Sequence, residues 1–152
     1  MAGNIAVRFS DSMTDIGKIH DALYEFNLRF IKIPRKEVHA EVFPEQGAFV
    51  AEDENGVFYG GIAFHWLNDP RRVYGDYFFV DAAARGQGLG TRIIEALANY
   101  AREAGAVRID LKTNSYQAPG FYPKLGFRVT GEAKEPWPGC PDNIHYSLSL
   151  DL

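Results

Sequence analysis

Residues 85–91 read Arg85-Gly86-Gln87-Gly88-Leu89-Gly90-Thr91 and place glycine at three alternate positions. A strand pattern precedes this stretch, and apolar residues of helical spacing follow it, at Ile93, Ile94, Leu97, Tyr100 and Ala101. Glycine lets a backbone approach a phosphate closely, and the N-terminus of a helix presents free N–H groups with a partial positive charge. The stretch therefore predicts a phosphate-binding loop to which Arg85 adds a side chain. A strand-to-helix turn without a ligand is the alternative.

The segments on either side of this loop predict one α/β domain over residues 1–152. Strands are predicted at Ile5–Phe9, Ala48–Glu52, Val57–Phe64, Val73–Val80, Val107–Leu111, Phe127–Ala133 and Ile144–Leu150. Helices are predicted over Ser12–Phe30, between the glycine loop and Gly105, and, as short pieces, within Arg35–Phe43 and near Pro119–Leu125. Asn55-Gly56 is a hairpin signal, so the second, third and fourth strands should form an antiparallel meander.

Composition and charge exclude several classes of protein. The chain has 152 residues, 46% of them hydrophobic, which suits one domain with its own core and excludes a disordered chain. Sixteen basic and 20 acidic residues give a net charge of −4, which argues against nucleic-acid binding. Cys140 is the single cysteine, so an intrachain disulfide and a cysteine-rich zinc module are excluded, and no metal is expected. The N-terminal residues show no signal peptide or membrane span, so we expect a cytoplasmic protein without membrane contact.

Two common phosphate-binding motifs do not fit the glycine loop. A nucleotide-triphosphate loop ends in Gly-Lys-Ser/Thr, whereas Gly90 is followed by Thr91 and Arg92. The dinucleotide fingerprint needs a third glycine where Thr91 stands. Asp110 could still imitate the ribose-binding acid of that fingerprint, so a nucleotide-binding oxidoreductase remains a minor alternative.

The spacing Arg85-x-x-Gly88-x-Gly90 resembles the acetyl-CoA pyrophosphate motif of the GNAT superfamily of N-acetyltransferases. Downstream, Ala118-Pro119-Gly120-Phe121-Tyr122-Pro123-Lys124-Leu125-Gly126-Phe127 resembles the second signature of that family, A-x-x-x-Y-x-K-x-G-F. The order of elements also fits, although the region before Ala48 matches only in its broad pattern. The resemblance implies a single-domain GNAT-like α/β fold with a mixed, mostly antiparallel central sheet and helices on both faces.

The same resemblance implies acetyl-CoA as cosubstrate and assigns it a set of contacts. The thioester would lie along a strand that separates from its neighbour, at Phe78, Phe79 and Val80. The pyrophosphate would lie on Arg85, Gly86, Gln87, Gly88, Leu89, Gly90 and Thr91. Many members carry an Asn seven positions before the signature tyrosine for the pantetheine arm; that position is Ser115 here, with Asn114 one residue earlier, and either could make the contact.

By resemblance, Tyr122 is the general acid that protonates the sulfur of CoA; otherwise it is a core tyrosine. For the general base we favour Asp76, which shares strand parity with Phe78 and Val80. Glu41, His65 and His145 are its rivals. Cys140 has no adjacent basic residue, so it is expected to be an inert loop cysteine rather than an acetyl carrier. Trp137 and Tyr116 could form apolar walls of the acceptor site.

The sequence thus predicts an acetyl-CoA-dependent N-acetyltransferase. It would transfer the acetyl group directly, in a ternary complex, to a primary amine of a small molecule, a peptide or a protein. A homodimer is compatible with the family, in which dimers are frequent. The alternative function is a non-catalytic module that binds acyl-CoA as a sensor or regulator.

Overall fold

The computed structural model describes residues 4–117 and 119–152. Seven strands form one sheet: β1 Ile5–Ser10, β2 Gln46–Asp53, β3 Phe58–Leu67, β4 Arg72–Val80, β5 Arg108–Asn114, β6 Arg128–Lys134 and β7 Ile144–Asp151. Two α-helices accompany it, α1 Met13–Asn27 and α2 Leu89–Glu103. Short 3-10 turns lie at Ala82–Ala84, Ser115–Gln117, Pro119–Phe121 and Pro123–Leu125. The predicted strands are all present, with ends that agree or differ by up to three residues.

The sheet has the order β1-β2-β3-β4-β5-β7-β6. Strands β1 to β4 form an antiparallel meander, and β7 pairs antiparallel with both β5 and β6. The parallel pair β4–β5 is joined through the glycine loop and α2, and it covers only Val73–Gly75 against Ile109–Leu111. Past Gly75 the two strands separate. The expectation of a mixed, mostly antiparallel sheet is confirmed.

The two helices cover opposite faces of the sheet. Helix α2 packs its buried residues on one face, in a core that includes Ile62, Phe64 and Ile109. Helix α1 places Ile16 and Ile19 against the other face. The side chain of Ser12 caps α1 by accepting the N–H of Asp15, as their spacing suggests. The predicted arrangement of helices on both faces is therefore confirmed.

Three predicted helical segments differ from the structure. Helix α1 ends at Asn27, three residues before the expected Phe30. Residues 33–43 form no helix, and Val42 is 77% exposed; an apolar side chain without a partner gives a helix no face to bury. The segment near Pro119–Leu125 is two 3-10 turns interrupted at Tyr122, since Pro123 has no N–H to continue a helix. Ala118, the first residue of the second signature, lies outside the described residues.

Within the described part of the chain, no helix is both long enough and apolar enough to cross a membrane.

Candidate active site

A cavity of about 570 Å³ opens where β4 and β5 separate. Residues of α1, β4, the glycine loop, the start of α2, β5 and the 3-10 turns line it. Of the residues predicted for the site, it is lined by Asp76, Phe78, Phe79, Val80, Arg85, Gly86, Gly88, Leu89, Gly90, Thr91 and Tyr122. Gln87, Asn114 and Ser115 are not among its lining residues in the described chain. The gap between the strands thus joins both sequence motifs in one space.

The glycines of the loop are needed for two different reasons, backbone conformation and close packing. Gly86 and Gly88 have φ angles of +76° and +75°, the left-handed region that other residues adopt only with strain. Gly90 is helical instead, and a Cβ there would lie 3.0 Å from Cζ of Phe121. Two glycines therefore shape the turn, and the third allows Phe121 to pack on the start of α2.

The loop ends at the N-terminus of α2, where an anion is favoured. Gly88 is the N-cap and has no side chain to cap the helix, and the first turn carries no acidic residue. The first N–H groups of an α-helix have no intrahelical partner, and the helix dipole adds partial positive charge there. This end of the cavity can therefore bind a phosphate group.

Arg85 and Gln87 use their side chains to hold the loop. Arg85 donates from Nε to the carbonyl of Val80 at 3.0 Å, and its guanidinium lies 5.2 Å from the ring centre of Phe26. Gln87 donates from Nε2 to the carbonyl of Ala83 at 3.2 Å. Arg85 thereby ties the loop to the last residue of β4, and it still lines the cavity.

Tyr122 also lines the cavity, with only 6% of its surface exposed. Its ring centre lies 6.1 Å from that of Phe78, 5.3 Å from that of Phe121 and 5.5 Å from that of Phe127. Burial among these rings raises the pKa of the Tyr122 phenol above its usual value. The hydroxyl is therefore protonated at neutral pH and can donate a proton to a group in the cavity.

Asp76 occupies an irregular position in β4. Ala63 of β3 pairs with Tyr77 and Phe64 pairs with Gly75, so Asp76 is the extra residue of a β-bulge. Its Oδ2 lies 2.8 Å from Nδ1 of His65, a residue that alternates with the core residues Phe64 and Trp66 along β3. A bulge re-aims a side chain, and here the carboxylate contacts His65 instead of packing beside Phe78.

The carboxylate of Asp76 is unusually basic for its type. Burial raises its pKa to about 6; the hydrogen bond from His65 acts in the opposite direction, and the nearby charge of Glu41 adds to the increase. Such a group is ionised at neutral pH and accepts protons more strongly than an exposed aspartate does.

The rival bases lie in different surroundings. His65 contacts Asp76, as described above. The backbone N–H of Glu41 donates to the hydroxyl of Tyr77 at 3.2 Å, which anchors the segment before β2 to β4. His145 places Nδ1 at 3.2 Å from Oδ1 of Asn114 and 3.2 Å from Oε2 of Glu135. None of the three is among the described residues that line the cavity.

The two candidates for the pantetheine contact bond to the segment before β7. Ser115 donates from Oγ to Oδ1 of Asn143 at 2.9 Å and accepts the N–H of Ile144 at 3.0 Å. Asn114 accepts from Nδ2 of Asn143 at 2.9 Å. These bonds fix the end of β5 in place.

Gln117 lines the cavity close to these residues and was missed by sequence reasoning. Its Oε1 accepts the N–H of Asn114 at 3.0 Å, and its Nε2 donates to Oδ1 of Asn27 at 2.7 Å. Its place depends on the 3-10 turn after β5, and we find no pattern in the sequence that would have identified it.

Cys140 lies in the loop between β6 and β7. Its Sγ contacts the carbonyl of Phe30 at 3.3 Å, and it does not line the cavity in the described chain. Tyr116 stacks on Phe30 at 5.5 Å, while Trp137 and Cys140 pair through their backbones. The segment from Trp137 to Cys140 therefore packs against the chain that follows α1.

Among the described residues, no group of three or more His, Cys, Asp or Glu side chains is placed to hold a metal ion.

A family model described as "Acetyltransferase (GNAT) family" matches residues 16–127 of the chain. This match includes the glycine loop, β4, β5 and Tyr122, which are the parts that surround the cavity.

Individual relatives agree with that match. A blasticidin-S acetyltransferase of Streptomyces morookaense is 35% identical over 96 residues, which cover 60% of this chain and 66% of that protein, just under two thirds of its length. A peptidyl-lysine N-acetyltransferase of Salmonella typhimurium is 28% identical over 117 residues, 75% of this chain and 72% of that protein.

A solved structure has the same fold. It is that of a putative streptothricin acetyltransferase from Bacillus anthracis in complex with acetyl coenzyme A. It superposes with a TM-score of 0.62 at 23% identity over 79% of this chain and 76% of that chain.

Proposed function

Because the chain belongs to the acetyltransferase (GNAT) family, we propose that it transfers the acetyl group of acetyl-CoA to a primary amine of a small molecule or of a peptide. The observation that carries the proposal is the gap between β4 and β5, which joins an anion-binding loop at one end to Tyr122 and Asp76. The relatives named above act on blasticidin S and on peptidyl lysine, which supports an amine acceptor. The cytoplasm remains the proposed location, and a homodimer remains a prediction.

Acetyl-CoA fits this space on two grounds. A Cβ built on Gly86 or Gly88 meets no atom within 4 Å, so open space lies over the loop where a pyrophosphate would contact the N–H groups of residues 86–91. The pantetheine arm would follow residues 78–80 of β4, whose edge toward β5 is free of strand pairing in the described chain, with Thr113 and Gln117 on the opposite wall. A related fold binds acetyl-CoA, which supports the assignment.

The chemistry assigns one role to each of two side chains. An alkylamine with a pKa near 10.4 is only about 0.1% neutral at physiological pH, so a base must take one of its protons. Asp76 would accept that proton, directly or through a water molecule, and the freed lone pair attacks the thioester carbon. Tyr122 would then give its proton to the sulfur as the carbon–sulfur bond breaks, and the second proton of the amine restores the phenol. Each amide formed releases one proton to solvent.

Direct transfer in a ternary complex suits this geometry better than an acetylated enzyme. A covalent route needs a nucleophile at the thioester, and Cys140 bonds to Phe30 outside the cavity. Both substrates would therefore occupy the site together, with the amine entering from the side of Asp76.

The experiment that tests the proposal measures release of CoA thiol from acetyl-CoA with a panel of amines and lysine peptides. Calorimetric titration of acetyl-CoA into the same protein supplies the binding measurement. We expect binding together with thiol release that depends on at least one amine. Acetyl-CoA binding without turnover on any amine would contradict the enzymatic function, and absence of binding would contradict the cofactor assignment as well.

A further inference from the structure

One imidazole from the neighbouring strand holds the carboxylate of Asp76. Nδ1 of His65 lies 2.8 Å from Oδ2 of Asp76, and the two side chains are 12% and 9% exposed. A carboxylate at this distance accepts a hydrogen bond, so Nδ1 of His65 is the donor. Asp76 lines the cavity and His65 lies behind it.

Aromatic rings fix the imidazole in this orientation. The ring of Phe43 lies nearly parallel to that of His65, with centres 4.0 Å apart and an interplanar angle of 12°. The ring of Tyr74 approaches to 5.6 Å. These two contacts fix the plane of the imidazole, and the hydrogen bond to Asp76 selects the ring edge that carries Nδ1.

A second His–Asp pair in the chain provides a contrast. His20 and Asp21 are adjacent residues of α1, with Nδ1 and Oδ1 2.9 Å apart, and the side chain of Asp21 is 71% exposed. That pair is a local contact outside the cavity. His65 and Asp76 belong to different strands instead, and the extra residue of the bulge in β4 brings the carboxylate to the imidazole at the point where β4 leaves β5.

We infer that His65 is a positioning residue for acetyl transfer: it aims the Asp76 carboxylate at the cavity and stabilises the ionised form that takes the amine proton. The inference rests on the proposed function and adds a residue to it. The proton moves from the ammonium nitrogen to the free oxygen of Asp76, and then to solvent. The Nδ1–H of His65 stays in place throughout this transfer, so the imidazole itself carries no proton between the amine and solvent.

Other charged and titratable groups face Asp76 from the elements around it. Glu41 approaches from the segment before β2, and Tyr74 and Tyr77 flank Asp76 on its own strand. Lys112 of β5 lines the same cavity. Burial and Glu41 raise the pKa of Asp76, and His65 opposes them. Removal of His65 should therefore raise the pKa of Asp76 further.

The test compares the pH dependence of kcat/KM for the wild type, His65→Leu and His65→Asn, using an amine found in the thiol-release screen. Leu removes the hydrogen bond, whereas the amide of Asn can restore a donor near the position of Nδ1. We expect the acidic limb of the His65→Leu profile to move up by about one to two pH units, the shift caused by loss of a charge-assisted hydrogen bond. The profile of His65→Asn should return toward that of the wild type.

The control is His20→Leu, which removes the imidazole of the other pair and should leave the profile unchanged. A direct measurement accompanies the kinetics: NMR titration of the Asp76 carboxyl carbon should show the same upward shift in His65→Leu without any substrate.

Two results would overturn this inference and leave the proposed function in place. One is a His65→Leu profile that superimposes on that of an active wild type, and the other is an NMR shift that the kinetic profile does not follow. If His65→Leu does not fold, His65→Phe replaces it, because it keeps a ring beside Phe43 and has no hydrogen-bond donor. An acidic limb of His65→Phe displaced upward by more than that of His20→Leu supports the inference, and an undisplaced limb with an unshifted NMR titration overturns it. A wild type that acetylates no amine overturns the proposed function, and this inference with it.

Discussion

The two sides of the cavity are built in different ways. The donor side, residues 78–91, consists of a strand end, a glycine loop and a helix N-terminus, and its shape follows from local backbone requirements at Gly86 and Gly88. In the proposed function, the acceptor side would be bordered by residues 28–45 and 135–143, which contain no α-helix and are held by distant contacts such as Phe30 with Tyr116. A side built from local rules can be recognised from sequence, whereas a side built from long-range loop contacts is free to differ between relatives.

The largest expected effect is on the donor side. Gly88→Asp places a side chain at φ +75° and a negative charge where the pyrophosphate would bind, so acetyl-CoA binding should be lost in calorimetry. Gly105→Asp is the matched control, because Gly105 has φ +86° with open space around it, far along the chain at the end of α2. Both variants should lose about 1 kcal/mol of unfolding free energy through strain. Unchanged affinity in a folded Gly88→Asp protein would contradict the cofactor assignment.

The next largest effect concerns the boundary between the two sides, at Asp76. Asp76→Asn should lower kcat/KM by about 1,000-fold at pH 7.4, since only about 0.1% of an alkylamine is then neutral without a base. The loss should become smaller as the pH approaches the pKa of the amine, because more of the amine is then already neutral. Asp21→Asn, in the exposed His–Asp pair, is the control and should retain full activity.

The pH dependence of the wild type follows from the same carboxylate. The pKa of Asp76 is raised to about 6, and the base acts only when ionised. Activity should therefore be present above pH 6 and fall as the pH drops through about 6. An acidic limb near pH 4 would mean that an ordinary exposed carboxylate, or no carboxylate, controls the rate.

A smaller effect is expected at Tyr122. Tyr122→Phe keeps the ring among Phe78, Phe121 and Phe127 and removes only the proton donor. We expect a fall in kcat of about 100-fold, the lower part of the range for acid catalysis, because a thiolate is already a fair leaving group. Acetyl-CoA affinity should change little. Tyr100→Phe, in a half-buried tyrosine of α2, is the control, and kcat for Tyr122→Phe within threefold of the wild type would make Tyr122 a packing residue.

The smallest effect is expected on the acceptor side. Cys140→Ala loses one contact from Sγ to the carbonyl of Phe30 and no reacting group, so kcat should stay within about twofold. Mass spectrometry after incubation with acetyl-CoA and no acceptor should find Cys140 unmodified. An acetyl adduct on Cys140 would replace direct transfer with a two-step route.

The difference between the two sides also explains what the sequence could predict. The loop from Arg85 to Thr91 and the signature around Tyr122 are contiguous, and their residue types follow from local geometry; in the structure, residues of both line the cavity. The contact between Asp76 and His65 could not be predicted from the sequence, because it depends on a bulge in the β3–β4 pairing. A one-residue change of register has no signature in the residues around it. Residues 35–43, which lie between Pro34 and Pro44, were expected to hold a short helix, yet Val38 and Val42 are exposed there and would give a helix little to bury.

The most direct test of the account is a crystal structure of the protein with acetyl-CoA. The account predicts pyrophosphate oxygens within about 3.0 Å of the N–H groups of residues 86–91, and the thioester sulfur within about 3.5 Å of the Tyr122 hydroxyl. It also predicts the pantetheine arm between β4 and β5. Acetyl-CoA bound outside this gap, or a thioester turned away from both Tyr122 and Asp76, would contradict it.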